Sequence, residues 1–212
     1  MGVPERMVQV LPGANLVYLV RHPFERLVSH YIHMVNAGVE QRGINEALQD
    51  IEDNGYVAYS RYAWQLSRFL GCFPRNRIYL MTSEELRQSP ASALRKLYEF
   101  IGVSADSLPK TRVLVHTRKE KRQWNRLGQF IRRTPWLDRR YRYYMGKLPP
   151  WLSNTLELAT GRPVAEPEID PSIRSRLESV FRDDIAALRM YRGAEVIDWK
   201  LGTDNVADSG HV

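Results

Sequence analysis

An apolar strand pattern that turns at an arginine into an amphipathic helix constrains this chain more than any other stretch. Residues 16–31 read Leu-Val-Tyr-Leu-Val-Arg-His-Pro-Phe-Glu-Arg-Leu-Val-Ser-His-Tyr. Five apolar residues, Leu16 to Val20, follow the turn formers Pro12, Gly13 and Asn15, the pattern of a fully buried strand. Pro23 suits the first turn of a helix. Phe24, Leu27, Val28, Tyr31 and Val35 recur at i, i+3, i+4, i+7 and i+11, one helical face. Arg21 therefore falls where a buried strand ends and a helix begins. In open α/β sheets ligands bind at that edge. The helix N-terminus offers an anion N–H groups and a partial positive charge, and an arginine can hold a phosphate through two parallel hydrogen bonds.

Strand and helix patterns alternate further along the chain. Tyr62, Leu66, Phe69 and Leu70 predict a helix from Tyr59 to Phe73, followed after Pro74 by a second buried strand, Arg77 to Met81. Ser89 and Pro90 suit the cap and first position of another helix. It continues through Leu94, Leu97, Tyr98 and Ile101 until Gly102 stops it. Asp170 and Pro171 open a last helix with Ile173, Leu177, Val180, Phe181, Leu188 and Tyr191 inward. Segments 38–55 and 145–170 read as loop-rich excursions, where binding elements concentrate. The expected fold class is α/β, a short parallel sheet flanked by helices. One domain is expected over 1–200, with a disordered tail at 201–212.

Arg21-His22-Pro23, continued by Arg26-Leu27-Val28-Ser29-His30-Tyr31, resembles a motif of the sulfotransferases that use 3′-phosphoadenosine 5′-phosphosulfate (PAPS). That motif is a strand, Arg-x-Pro-x-x-Arg-x-x-Ser-x-Tyr, and a helix. The later series is also similar to bacterial members: a helix, Phe73-Pro74, a strand, Glu84-Glu85-Leu86, a Pro-initiated helix, and a last helix before Asp198-Trp199. The resemblance thus spans roughly residues 8–200. It implies a P-loop-NTPase-like sulfotransferase fold, PAPS as donor and no metal. It gives Arg21 and Ser29 to the 3′-phosphate and puts Tyr62 near the adenine, a position that on its own pattern also suits the core. Thr117-Arg118-Lys119 matches the late basic loop that closes on the same phosphate, with Arg118 and Lys119 as its cations and Glu120 where the family has glycine. His22 stands where Asp or Asn is common. The implied reaction is transfer of a sulfuryl group to a hydroxyl or amine of an acceptor, such as an acidic carbohydrate. No catalytic base is assigned.

Members of this type open with a strand, a Lys-x-Gly-Thr-Thr loop and a helix. No such loop occurs here, and Lys200-Leu201-Gly202-Thr203 precedes no helical pattern. The expectation is a domain lacking its first strand, loop and helix, which by itself could be inactive.

Charge adds a second feature. Arg112 to Lys147 carries twelve Lys/Arg against two Asp/Glu, a local net of +10, while the whole chain is +7 and the remainder therefore −3. Trp124, Phe130, Trp136, Tyr141, Tyr143 and Tyr144 are interleaved with these cations. Such a segment suits an anionic polymer. It equally suits a solvated helical face with its aromatics packed inward, as Leu127, Phe130 and Ile131 at i, i+3 and i+4 suggest. The alternative to an enzyme is thus a non-catalytic module that binds a polyanion or nucleic acid through 112–147; in the sulfotransferase reading nucleic acid is not an expected partner. No apolar run reaches 18 residues, so no membrane span is expected. A single cysteine, Cys72, and the lack of an apolar leader suggest a cytoplasmic protein. No His, Cys, Asp or Glu spacing suggests a metal.

Overall fold

A computed structural model of the chain describes residues 2–104, 122–124, 128, 130, 131, 134–145, 147–163, 167–192 and 197–202. In chain order the elements are α1 (Val3–Val10), β1 (Leu16–Val20), α2 (Pro23–Asn36), α3 (Ile44–Ala47), α4 (Gly55–Ala58), α5 (Tyr62–Leu70), β2 (Ile78–Thr82), α6 (Ser83–Gln88), α7 (Pro90–Ile101), β3 (Arg122–Trp124), α8 (Pro135–Met145), α9 (Pro150–Thr160), β4 (Gly161–Pro163) and α10 (Pro171–Arg192). The chain divides into two compact units, 1–27 with 48–115 and 169–212, and 28–47 with 116–168. The boundary at 27/28 falls within α2.

In the first unit β1 and β2 pair in parallel, with Leu16 opposite Ile78 and Val20 opposite Thr82. The α/β class is therefore realised as a short parallel sheet with helices around it. A capping box ends β2: Glu85 N–H donates to Thr82 Oγ1 at 3.0 Å, and Thr82 N–H donates to Glu85 Oε2 at 2.8 Å. The strand thus passes directly into α6. Further on, α7 closes at Gly102, whose φ of +76° only glycine adopts without strain.

α10 completes this unit. Leu177, Phe181 and Leu188 are fully buried, and Phe181 meets Phe24 edge-on at 5.3 Å. At its C-terminal end the Tyr191 hydroxyl donates to Ile78 O at 2.9 Å, and Arg192 Nε donates to Leu80 O at 2.9 Å. Two side chains therefore satisfy β2 carbonyls that a third strand would otherwise take, which protects the edge.

β1 departs from the fully buried strand expected. Val20 is 1% exposed, but Val17 and Leu19 are 46% and 51% exposed. Successive side chains point to opposite faces. On the face of Val17 and Leu19, the β2 half is covered: Tyr79 stacks on Phe100 of α7 at 5.2 Å, and Met81 is buried. No comparable cover lies over the β1 half among the described residues. The helix expected over 59–73 is also shorter, beginning at Tyr62 and ending at Leu70.

In the second unit β3 and β4 form a short antiparallel ribbon, Arg122 opposite Pro163 and Trp124 opposite Gly161. Segment 145–170, expected to be loop-rich, holds α9 and β4. Pro149 and Pro150 account for the helix: they stand at its start, where a missing N–H costs nothing, and Pro149 O accepts from Leu152 N–H at 3.0 Å. Segment 38–55 is largely loop apart from α3. Its turn is fixed by the buried Glu40 carboxylate, which accepts from Gln41 and Arg42 N–H and pairs with the Arg42 guanidinium at 2.7 Å. The Tyr31 hydroxyl donates to Arg42 O at 2.8 Å. The expected tail, from residue 203 on, lies outside the described residues.

Candidate functional site

The carboxyl ends of β1 and β2 stand side by side, Val20 opposite Thr82. Arg21 and His22 follow the first strand, and Ser83 and Glu84 follow the second. His22 O accepts the first helical hydrogen bond of α2, from Arg26 N–H at 3.0 Å, so His22 caps the helix and Pro23 is its first residue. The His22 N–H donates to Glu84 Oε1 at 3.2 Å. One carboxylate thereby ties the two strand ends together. Glu84 Oε2 is buried and has no hydrogen-bond partner among the described residues.

Arg21 is half-buried at this edge. Its N–H donates to the Tyr62 hydroxyl at 3.4 Å, and its Nη2 donates to Arg26 O at 3.3 Å. The side chain is therefore drawn along the first turn of α2. Tyr62 is buried beneath, 5% exposed, with its ring 6.0 Å from both Tyr18 and Trp199. Burial pushes the Tyr62 phenol up to about 12, against the Arg21 hydrogen bond and the Arg21 and Arg26 charges, which draw it down. Burial also raises Tyr18. Both phenols are neutral near pH 7, so Tyr62 meets the Arg21 backbone as a hydroxyl.

A distant segment completes the floor. Arg189 donates to Ile197 O at 2.8 Å and to Trp199 O at 3.0 Å, fixing the chain after α10. Trp199 lies 6.2 Å from the His22 ring, and His22 Nε2–H donates to Lys200 O at 2.9 Å. Asp184 of α10 holds the start of α5, accepting from Ala63 and Trp64 N–H, each at 3.0 Å. Tyr62 is thus positioned from α10.

Of the residues expected at the site, Arg21 and Tyr62 meet directly. Ser29 is half-buried on α2, past the 27/28 boundary and within the second unit. Arg118 and Lys119 lie outside the described residues. Two participants escaped the sequence patterns. Glu84 appeared there only as part of a Glu-Glu-Leu series, and nothing local links it to His22, 62 residues away. Lys200, set aside as a chance match to a phosphate loop, comes to His22 through its carbonyl; residues 200–202 form no helix. Among the described residues no group of three or more His, Cys, Asp or Glu could hold a metal ion. No described helix is long and apolar enough to cross a membrane.

The edge is therefore a half-buried arginine beside a helix N-terminus, over neutral phenols, with a tryptophan and a histidine alongside. The Arg21 guanidinium suits an anion and the neighbouring rings suit a ring system, while the Glu84 carboxylate at the same edge takes the His22 N–H. Comparison with known proteins places the chain in a family. The sulfotransferase domain family model matches residues 6–152. The human bifunctional heparan sulfate N-deacetylase/N-sulfotransferase 2 is 24% identical over 116 residues, 48% of this chain but 13% of that protein. Its Drosophila melanogaster counterpart, a bifunctional heparan sulfate N-deacetylase/N-sulfotransferase, is 24% identical over 115 residues, 48% of this chain and 11% of that protein. The alignments thus span only a small part of these relatives. The crystal structure of a sulfotransferase from Alicyclobacillus acidocaldarius superposes with a TM-score of 0.56 at 22% identity, over 89% of this chain and 58% of that one. With well over half of its length matched by the family model, the chain belongs to the sulfotransferase domain family.

Proposed function

We propose that this chain binds PAPS at the carboxyl edge of the β1–β2 sheet and orients it for sulfuryl transfer to a hydroxyl or amine of an acidic carbohydrate. The observation that carries this is Arg21: it emerges where β1 gives way to α2, with its backbone held by Tyr62 and its side chain turned along the helix start. In this reading Arg21 takes the 3′-phosphate, and Ser29 adds its hydroxyl. Arg118 and Lys119 close on the same phosphate, and the adenine lies near Tyr62. Transfer in line between two heteroatoms requires a donor held in one orientation and charge met on the bridging oxygen. The residues named here supply the first requirement. The acceptor class follows from the relatives, which are named for heparan sulfate, and from the basic segment 112–147.

Calorimetric titration with 3′-phosphoadenosine 5′-phosphate tests the donor. The chain is expected to bind it saturably and to prefer it to AMP. Arg21→Ala loses about 1.5–3 kcal/mol, the range for hydrogen bonds to charged groups, or about 10- to 100-fold in affinity. Equal affinity in the variant removes Arg21 from the phosphate.

A further inference from the structure

α8 turns its aromatic residues the unusual way. Large aromatic side chains ordinarily lie inside, and an exposed set is the informative case. Here Trp136 is 62% exposed, Tyr143 57% and Tyr144 51%. Arg139, Arg140 and Lys147 are exposed as well. At 3.6 residues per turn, Trp136, Arg139, Arg140, Tyr143 and Tyr144 fall within an arc of roughly 140°. The partly covered residues, Leu137, Asp138, Tyr141 and Met145, occupy the other side. The helix thus keeps a modest inner face and displays a ladder of alternating rings and cations. The inward packing that this segment's sequence also allowed does not hold for these side chains.

The ladder is internally arranged. Lys147 Nζ sits 4.0 Å over the Tyr143 ring and bonds its hydroxyl at 2.5 Å. The Arg140 guanidinium lies 5.8 Å from the Tyr144 ring, and Tyr143 and Tyr144 pack edge-to-face at 5.3 Å. Ring–cation contacts of this kind hold both partners in place without removing the cation's charge. From Trp136 to Tyr143 the helix rises about 10 Å. Flat rings offer a surface to the C–H face of a sugar, while the neighbouring cations meet its carboxylates or sulfates.

We infer that the exposed face of α8 is a binding surface for an acidic glycan. The inference deepens the proposed function, resting on its acidic-carbohydrate acceptor. Charge complementarity selects this occupant: the face presents Arg139 and Arg140, Lys147 follows just past the helix end, and the one acid of α8, Asp138, lies off the face. A neutral sugar would leave those cations unmatched. A nucleic acid also has charge and rings, and is distinguished below by experiment.

Heparin serves as the probe glycan for the full chain, with neutral dextran and a single-stranded oligothymidylate of matched charge as comparators. The chain is expected to bind heparin, to ignore dextran, and to bind the oligonucleotide more weakly. Replacing both Arg139→Ser and Arg140→Ser lowers heparin affinity roughly fivefold to tenfold and flattens its salt dependence. Replacing Trp136→Ala with Tyr143→Ala lowers it with the salt slope unchanged. These side chains are exposed, so thermal unfolding stays where it was. Heparin binding unaltered in both variants, or tighter binding of the oligonucleotide, overturns the inference. Titration of each variant with 3′-phosphoadenosine 5′-phosphate separates it from the donor assignment. The α8 variants keep nucleotide affinity, and Arg21→Ala keeps heparin affinity. If the unmodified chain binds no nucleotide, the donor reading fails, while heparin binding that depends on α8 still upholds the surface.

Discussion

Asp184 shows how much one side chain can decide. Its carboxylate caps α5 and so sets where Tyr62 begins, yet it is buried, and burial raises its pKa above the usual carboxylate value despite the Ala63 and Trp64 hydrogen bonds. A folded-state pKa above the unfolded one means that the native state holds the proton more tightly. The group's contribution is then fully present below the unfolded value near 3.8 and is lost as pH rises through the raised one. Asp184→Asn cannot titrate. Urea unfolding of both proteins across this range is expected to show the unmodified chain losing stability relative to Asp184→Asn as pH rises. The opposite trend would mean that the hydrogen bonds outweigh the burial. The same residue shows where sequence patterns stop. Asp183-Asp184 is visible in the chain, but its partners lie about 120 positions away, so no local spacing marks α5 as starting at Tyr62.

Among elements, those bounded by local signals were legible. The start of α2 at Pro23, the span of α7 from Pro90 to a halt at Gly102, and the start of α10 at Pro171 all follow from residues adjacent to the boundary. β1 was legible in position and misjudged in environment. Five apolar residues in a row look the same whether one face or both are covered, because cover is supplied by elements far along the chain. The difference is measurable. Leu19 is half exposed, so Leu19→Thr is expected to change unfolding free energy by less than about 0.5 kcal/mol. A loss of about 2 kcal/mol or more would be typical of a large side chain truncated inside a core, and would mean that this face is covered in solution. Aromatic orientation on α8 was hidden for a related reason. Periodicity finds a face, but it does not say which face meets solvent when both carry rings.

At the scale of the whole molecule, charge is the property that the sequence shows most directly and the fold least alters. A net +10 lies between Arg112 and Lys147, while the rest of the chain carries −3. Two kinds of anion recognition then differ in their response to salt. A polymer gathered by many exposed cations releases counterions, and its affinity falls steeply with salt. A nucleotide phosphate held by the half-buried Arg21 depends on a few short hydrogen bonds, which ions screen much less. Repeating the heparin and 3′-phosphoadenosine 5′-phosphate titrations from roughly 0.05 to 0.2 M salt should therefore give two slopes, steep for heparin and shallow for the nucleotide. Two equally steep slopes would assign both ligands to the basic segment. Arg118 and Lys119 would then hold the phosphate and Arg21 would serve the strand–helix junction alone. Two unequal slopes in the expected order leave the phosphate with Arg21, joined by Arg118 and Lys119, and the polymer with the remaining cations of 112–147.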